Sequence, residues 1–348
     1  MSRQNMFYWQ ADRPFTVDEI KTIFLDRKSD YSAADLAKAA THAMAEELVM
    51  HDSINHGSVN IVCPFTTVSG KEGVIRAHPK QVKNEYFFSE SEAMKLASTV
   101  GVPVPKTVLV DDSRKIVPFD YMVTTRISGI VMKPAVQQNP SLHPIFLKQI
   151  GMYMAKLHRI KTQGYGFFDN EQARVGRLIG IYDSNEKHYM AALDLDEDFH
   201  LANSNHIGMN LITKAFNILK ENVAIASCDQ PTLVHNDIAD WNTVVEGDQV
   251  TGILDWDECF SGDPVFDFAT TSLFYTDDQM EILKSGYQQI SKLPSNYEEK
   301  FTLYLIRYVM SKSKIAIKQL NSRQNDFMKL WLENAVRKLQ IAVKKFEK

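Results

Sequence analysis

The stretch Leu233-Val234-His235-Asn236-Asp237-Ile238-Ala239-Asp240-Trp241-Asn242, followed by Ile253-Leu254-Asp255-Trp256, constrains this chain more than any other. It reads H-x-D-x-x-x-x-N, then a short interval, then an Asp closing an apolar run. Phosphoryl transfer needs that residue set: one carboxylate facing a hydroxyl, with an Asn and a second carboxylate to hold magnesium. The interval Asn242 to Leu254 reads as a hairpin turning at Glu246-Gly247-Asp248. Asn242 would open one strand and Asp255 would close its partner. Antiparallel pairing then sets both side chains at one end, close enough for one Mg²⁺, which prefers oxygen ligands. Asp237 lies in the loop before the hairpin, where it can accept a hydrogen bond from an attacking hydroxyl. His235 belongs to the same catalytic loop and is read as a brace held by hydrogen bonds.

Size and composition narrow the alternatives. At 348 residues the chain suits one two-lobed unit or two modest domains. Hydrophobic content of 44% and charged content of 24% allow a sizeable core. A net charge of -4 gives no sign of nucleic-acid affinity, which usually needs a basic face. No stretch approaches the ~20 apolar residues of a membrane span, and Met1 to Ile20 lacks the basic start and apolar middle of a secretory signal. Cys63, Cys228 and Cys259 are far apart, as free thiols in a reducing compartment would be. The expectation is a soluble, cytoplasmic protein, monomeric or dimeric.

Along the chain, Thr16-Val17-Asp18-Glu19 fits a capping box before a helix from Ile20 to Leu25. Ser32 to Met50 is Ala-rich with helical spacing. Strands are expected at Val59–Phe65, Gly73–Ala77, Thr107–Val110 and Tyr121–Thr125, interrupted by a helix from Tyr86 to Ser98. After Gly129 the spacing turns helical, at Ile145–His158, Met209–Asn222, Thr302–Gln319 and Phe327–Phe346. The chain is thus β-rich before about residue 126 and mainly helical afterwards, with the 242–254 hairpin as the exception. Asp183 to Asp198 is locally acidic.

These motifs resemble the aminoglycoside phosphotransferase and choline kinase-like superfamily, relatives of the protein kinases. Asp255-Trp256 and Gly262-Asp263-Pro264-x-x-Asp267-Phe268-Ala269 are similar to that family's D-W…G-D-P-x-x-D-hydrophobic-A run. Ala155-Lys156-Leu157-His158 resembles its L-A-x-L-H helix, and Gly101-Val102-Pro103-Val104-Pro105 its G-x-P-V-P junction. The matches run from about residue 57 to 290. The resemblance implies an α+β, bilobal protein-kinase-like fold with a small β-rich N-lobe and a larger, mainly helical C-lobe. Residues 1–126 would form the nucleotide-binding lobe and 127–348 the catalytic and substrate-binding lobe. It implies ATP or GTP as donor, with Mg²⁺ held by Asn242 and Asp255. Asp237 would be the base-like residue, and Asp267 would support the loop.

In the N-lobe the resemblance places Gly57 and Ser58 at a phosphate-covering turn and a basic residue, Arg76, on a following strand. Its acidic partner is Glu90, which shares a helix face with Met94 and Ala97; Glu92 and Glu85 are the other candidates. Thr124, Thr125 and Arg126 would be the hinge, whose backbone meets the nucleobase. The chain departs from protein kinases in having Asn236 inside His-x-Asp and no D-F-G or A-P-E, so the acceptor implied is a small molecule.

The Gly164-Tyr-Gly166-Phe-Phe and Phe260-Ser-Gly-Asp263 stretches look most like the hygromycin-type aminoglycoside phosphotransferases. An aminoglycoside or related amino-sugar is therefore the favoured acceptor. Choline, homoserine, fructosamine, methylthioribose and macrolide acceptors are alternatives, as is a non-catalytic nucleotide-binding regulator, although Asp237, Asn242 and Asp255 are all present. Trp241, Asp257, Glu258 and Asp277 are substrate-binding candidates. The 183–198 acidic segment could attract a polycation.

Overall fold

A computed structural model describes residues 32–50, 55–56, 60–78, 80, 83–294, 296–322 and 325–347. The helix expected from Ile20 to Leu25, and Gly57 and Ser58, lie outside the described residues. The chain first builds an antiparallel sheet and then a larger, mainly helical part. Strands Ile61–Thr67, Glu72–Ala77, Tyr121–Thr125 and Thr107–Asp111 lie side by side in that order. Alternation decides what each face does. On strand Glu72–Ala77, Gly73, Ile75 and Ala77 are buried in a core with Phe65, Phe119 and helix Ala33–Met44. Val74 and Arg76 point the other way, toward the rest of the molecule. Helix Phe87–Thr99 packs there through Phe87, Met94 and Ala97.

The expected helix from Ser32 to Met50 is shorter. Ser32 caps it, accepting from the Asp35 amide at 3.0 Å, but it stops at Met44. Ala45 turns left-handed, at φ 51°. Leu48–Met50 then becomes an edge strand paired with Phe65–Thr67. Tertiary hydrogen bonds override helical spacing here: the Glu46 carboxylate leaves the helix axis to accept from the Ser69 amide at 2.6 Å.

Helices His143–Leu157, Met209–Glu221, Tyr297–Ser322 and Asp326–Phe346 occupy the expected regions, shifted by a few residues at their ends. They surround the largest core, with Phe146, Ile150, Phe216, Phe268 and Tyr304 fully buried. A second sheet was not foreseen. Thr232–Val234, Phe260–Gly262, Tyr165–Phe168 and Gly180–Tyr182 pair in that order. Strands of three or four residues are too short to show a period of two. Among the described residues no helix is long and apolar enough to cross a membrane.

Helix His143–Leu157 meets helix Asp277–Gln288 backbone to backbone. A Cβ on Gly151 would fall 1.9 Å from the Leu283 carbonyl oxygen, and one on Gly286 would fall 2.0 Å from that of Lys148. Gly151→Ala should therefore push the helices apart and cost about 1–3 kcal/mol in urea unfolding. An unchanged midpoint would mean that the contact is looser than described.

Candidate active site

Strand Thr232–Val234 is buried along its length and delivers His235 to the interior. The next two amides hang on one carboxylate. Asp267 accepts from the His235 amide at 3.1 Å, from the Asn236 amide at 2.6 Å, and has the His158 Nε2 at 2.9 Å. Asp267 is fully buried on helix Val265–Thr271. Asn236 takes a left-handed conformation, φ 72°, which Asn tolerates better than most side chains. Its amide side chain bonds Glu258 at 3.1 Å, and it accepts from the hydroxyls of Thr270, at 3.1 Å, and Tyr308. The chain is thereby hooked so that Asp237 emerges into a cleft.

His235 braces this hook. Its Nδ1 accepts from the Asp237 amide at 3.2 Å, so Nε2–H donates to the Leu254 carbonyl at 3.1 Å. Its ring stands edge-on to Trp256. Burial lowers its pKa, which keeps the ring neutral and able to accept. With both nitrogens used, it does not reach the Asp237 carboxylate.

The 242–254 hairpin forms as expected. Thr243 pairs with Ile253 and Glu246 with Gln249, leaving a two-residue turn at Gly247-Asp248 with Gly247 at φ 60°. The Leu254 amide bonds the Asn242 carbonyl at 2.7 Å, so Asn242 and Asp255 leave the same end. Asn242 donates its side-chain nitrogen to Asp237, at 2.7 Å to Oδ2 and 2.9 Å to the carbonyl. That orientation turns Asn242 Oδ1 away as an available acceptor. Asp255 is left-handed at φ 63° and its carboxylate is 43% exposed into the cleft. Among the described residues no three His, Cys, Asp or Glu side chains form a ready-made metal cluster. One amide oxygen and one carboxylate fit a hard divalent cation that takes its remaining ligands from phosphate and water.

Across the cleft, Arg76 forms an ion pair with Glu90 and reaches Asp255 Oδ1 at 3.2 Å. Glu90 also accepts from the Trp256 amide at 3.3 Å. Sheet, helix and hairpin thus meet at one buried carboxylate. Burial raises the Glu90 pKa, and Arg76 opposes this. Burial likewise works against the Arg76 charge, but Glu90 and Asp255 hold it protonated. Glu92 instead pairs with Lys95 at the surface.

The cleft encloses about 550 Å³, within the range of small-ligand sites. Its lining combines the apolar Val62, Val74, Met122, Val244 and Leu254 with the polar Asp237, Asn242, Asp255, Asp257 and Glu258. Crowded carboxylates raise one another. Burial, then Glu258 and Asp257, push Asp237 up to about 7, with Lys312 and Asn242 pulling the other way. Asp255 is raised as well, by the loss of water inside the cleft and by Asp257, and its 43% exposure moderates the first of these. Lys312 stays protonated because Glu258 and Asp237 outweigh its own burial.

Thr124, Thr125 and Arg126 also line the cleft. The Thr125 amide is bonded to the Lys106 carbonyl at 2.8 Å and the Arg126 amide to the Glu72 carbonyl at 3.2 Å. Those two amides are therefore spent within the sheet, and a bound base there would meet carbonyls.

Two substrate candidates fall elsewhere. Asp277 does not line the cleft: its side chain is fully exposed, 3.8 Å from Lys338. Thr276 forms a capping box with Gln279, which sets Asp277 in the first turn of a helix, where a carboxylate favours the helix dipole. Trp241 stands outside the cavity, edge-on to Phe274, with the Lys133 ammonium over its ring. The acidic 183–198 stretch is not one patch either. Asp196 is buried in ion pairs with Arg307 and Lys314, whereas Asp183 pairs with Lys187 at the surface.

The structure adds residues that no motif marked. Ile315, Gln319 and Met328 close the cleft, and Lys312 lies on the same helix face as the first two. Their spacing of three and four was the available signal, but it reads equally as core.

The family model for a phosphotransferase enzyme family matches residues 54–329. The chain belongs to that family. No curated protein matches it. Solved structures share its fold. A thermostable mutant of the aminoglycoside phosphotransferase APH(4)-Ia, in ternary complex with AMP-PNP and hygromycin B, aligns with TM-score 0.64 at 16% identity, covering 89% of this chain and 98% of that one. A putative fructosamine-3-kinase from Thermobifida fusca YX-ER1 aligns with TM-score 0.65 at 14% identity, covering 90% and 100%. The macrolide 2'-phosphotransferase MphH from Brachybacterium faecium aligns with TM-score 0.54 at 15% identity, covering 88% and 98%. The α+β architecture of this phosphotransferase, a small antiparallel sheet followed by a larger helical part, is thus the kinase-like one.

Proposed function

We propose that this phosphotransferase moves the γ-phosphoryl group of ATP or GTP to a hydroxyl of a small molecule, with Mg²⁺ required. One observation carries the reading: Asp237, Asn242 and Asp255 converge on a single cleft opposite the Arg76–Glu90 pair. The apolar side chains Val62, Val74 and Met122 suit a nucleobase, with residues 1–126 as the nucleotide-binding lobe and 127–348 as the catalytic lobe. Asn242 Oδ1 and Asp255 would hold the metal, which neutralises phosphate charge when bound. Asp237, near neutral pKa in the free protein, accepts the hydroxyl proton and orients the oxygen. Arg76 keeps one guanidinium nitrogen on Glu90 and turns the other, which rests on Asp255, to the phosphates, where a lysine would be a point charge.

The acceptor is an amino-sugar, with an aminoglycoside favoured. Asp257 and Glu258 support this, since both line the cleft and suit a cationic group. The similarity to the hygromycin B complex points the same way. The fructosamine kinase and macrolide phosphotransferase likenesses keep those acceptors, together with choline and homoserine types, as the second reading. Nucleotide supply and the wide separation of Cys63, Cys228 and Cys259 in the sequence support a cytoplasmic setting. A coupled ADP-release assay with ATP, GTP and a panel of aminoglycosides, fructosamines, macrolides and small hydroxylated amines tests this. Acceptor-dependent ADP release with an aminoglycoside is expected. Release only with another class would replace the acceptor, and nucleotide binding without release for any acceptor would sink the kinase reading.

A further inference from the structure

Five carboxylates line the cleft: Glu90, Asp237, Asp255, Asp257 and Glu258. The cations lining it among the described residues are Arg76 and Arg126. Neither is bonded to Asp237 or Glu258. Arg76 is held by Glu90 and Asp255, and Arg126 pairs at 2.9 Å with the half-exposed Glu72. Beside Asp237 the cation comes from helix Tyr297–Ser322. Lys312 lies 2.5 Å from Glu258 Oε1 and bonds Oε2 as well, with only 22% of its side chain exposed. Ile315 and Gln319, on its helix face, are part of the cleft wall. Glu258 has a second partner, the Asn236 side-chain nitrogen at 3.1 Å, on the residue before Asp237.

A hydroxyl facing Asp237 places the phosphoryl group it attacks beside this pair. That group carries negative charge on three oxygens, and it enters a cleft already rich in carboxylates. A lysine has three donors on a flexible stem and can exchange partners, unlike a forked guanidinium. Glu258 would not be stranded by the exchange, because Asn236 still donates to it and an ammonium on the acceptor can replace Lys312.

Resting on the kinase reading above, we propose that Lys312 leaves Glu258 on nucleotide binding and bonds the oxygens of the γ-phosphoryl group. The acceptor oxygen then forms its bond to the γ-phosphorus. The bond from that phosphorus to the bridging oxygen breaks, its electron pair stays on the nucleoside diphosphate, and the hydroxyl proton passes to Asp237. Lys312 is thereby a phosphoryl-contacting residue supplied by the C-terminal helices, and Glu258 is freed to meet the acceptor.

The test needs no acceptor. Magnesium-dependent affinities for AMP-PNP and ADP are measured by calorimetry on the full chain. Lys312→Met should weaken AMP-PNP about tenfold, the loss of one charge-assisted hydrogen bond, and leave ADP within about twofold. Lys312→Arg keeps the charge but replaces the flexible ammonium with a fork, and should restore only part of the difference. Equal weakening of both nucleotides, or no change in either, would overturn the proposal in favour of a plain buried ion pair. Glu258→Gln releases Lys312 and serves if Lys312→Met does not fold. It should keep or raise the preference for AMP-PNP over ADP, and a lost preference counts against the exchange. A wild-type protein that binds neither nucleotide would defeat the kinase reading itself, before any variant is compared.

Discussion

Asp237→Asn should lower phosphoryl transfer by ~10²–10⁴-fold while leaving nucleotide affinity within a few-fold. The amide fills the same space and still accepts from Asn242 Nδ2, but it cannot take a proton. The same change should stabilise the free protein at high pH. In the unfolded chain Asp titrates near 3.9, whereas burial beside Glu258 and Asp257 raises Asp237 to about 7 in the fold. Its folded form therefore binds the extra proton between those values. The stability this contributes is full below pH ~4 and is lost as pH rises through 7. At pH 8 the wild-type fold carries a crowded, partly buried carboxylate that the variant lacks, a difference on the order of 1 kcal/mol or more. Urea unfolding at pH 5 and pH 8, beside the ADP-release assay, measures both effects. Wild-type turnover in the variant would remove Asp237 from the chemistry. A stability difference that does not grow with pH would mean that the carboxylate is better solvated than its surroundings indicate.

Asp267→Ala should have the largest effect on folding, roughly 3–5 kcal/mol. Three donors turn on that one buried carboxylate: the amides of His235 and Asn236, and His158 Nε2. Removing it leaves buried donors unpaired and releases the left-handed hook at Asn236. Asp267→Asn should recover little, because its NH₂ group would face an N–H donor. The measurement also separates two roles for this residue. As a support, Asp267 affects the free protein without any metal. If instead the Ala variant unfolded like wild type and lost only the Mg²⁺ dependence of nucleotide binding, Asp267 would be a metal ligand.

Much of the cleft was legible because it is local. Asn242 and Asp255 are joined by a hairpin whose length and turn residues fix where both ends emerge. Asp237 is five residues from Asn242, and the two side chains touch. Glu90 was separable from Glu92 by helix face alone, and the structure sends the first inward to Arg76 and the second out to Lys95. Long-range partners were not legible in this way. Lys312 lies 54 residues from Glu258, and nothing between them sets their distance. Asp196 and Asp277 look alike in the sequence, yet one is buried against Arg307 and Lys314 and the other is fully exposed. Leu48–Met50 left its expected helix because a sheet edge was waiting for it.

The sequence by itself determined which side chains the His235–Asn242 loop carries, the hairpin that brings Asp255 to it, and the alternation that turns Arg76 toward them. Each follows from bond geometry over a few residues, where turn type and strand period leave one arrangement. Only the tertiary structure decided what surrounds them. It hung the loop on Asp267, braced it with His235, and closed the cleft with a helix from the far end of the chain. Those choices depend on packing between segments distant in sequence. Burial and mutual charge, which set the proton affinity of Asp237 and the partner of Lys312, come into being only once the chain is folded.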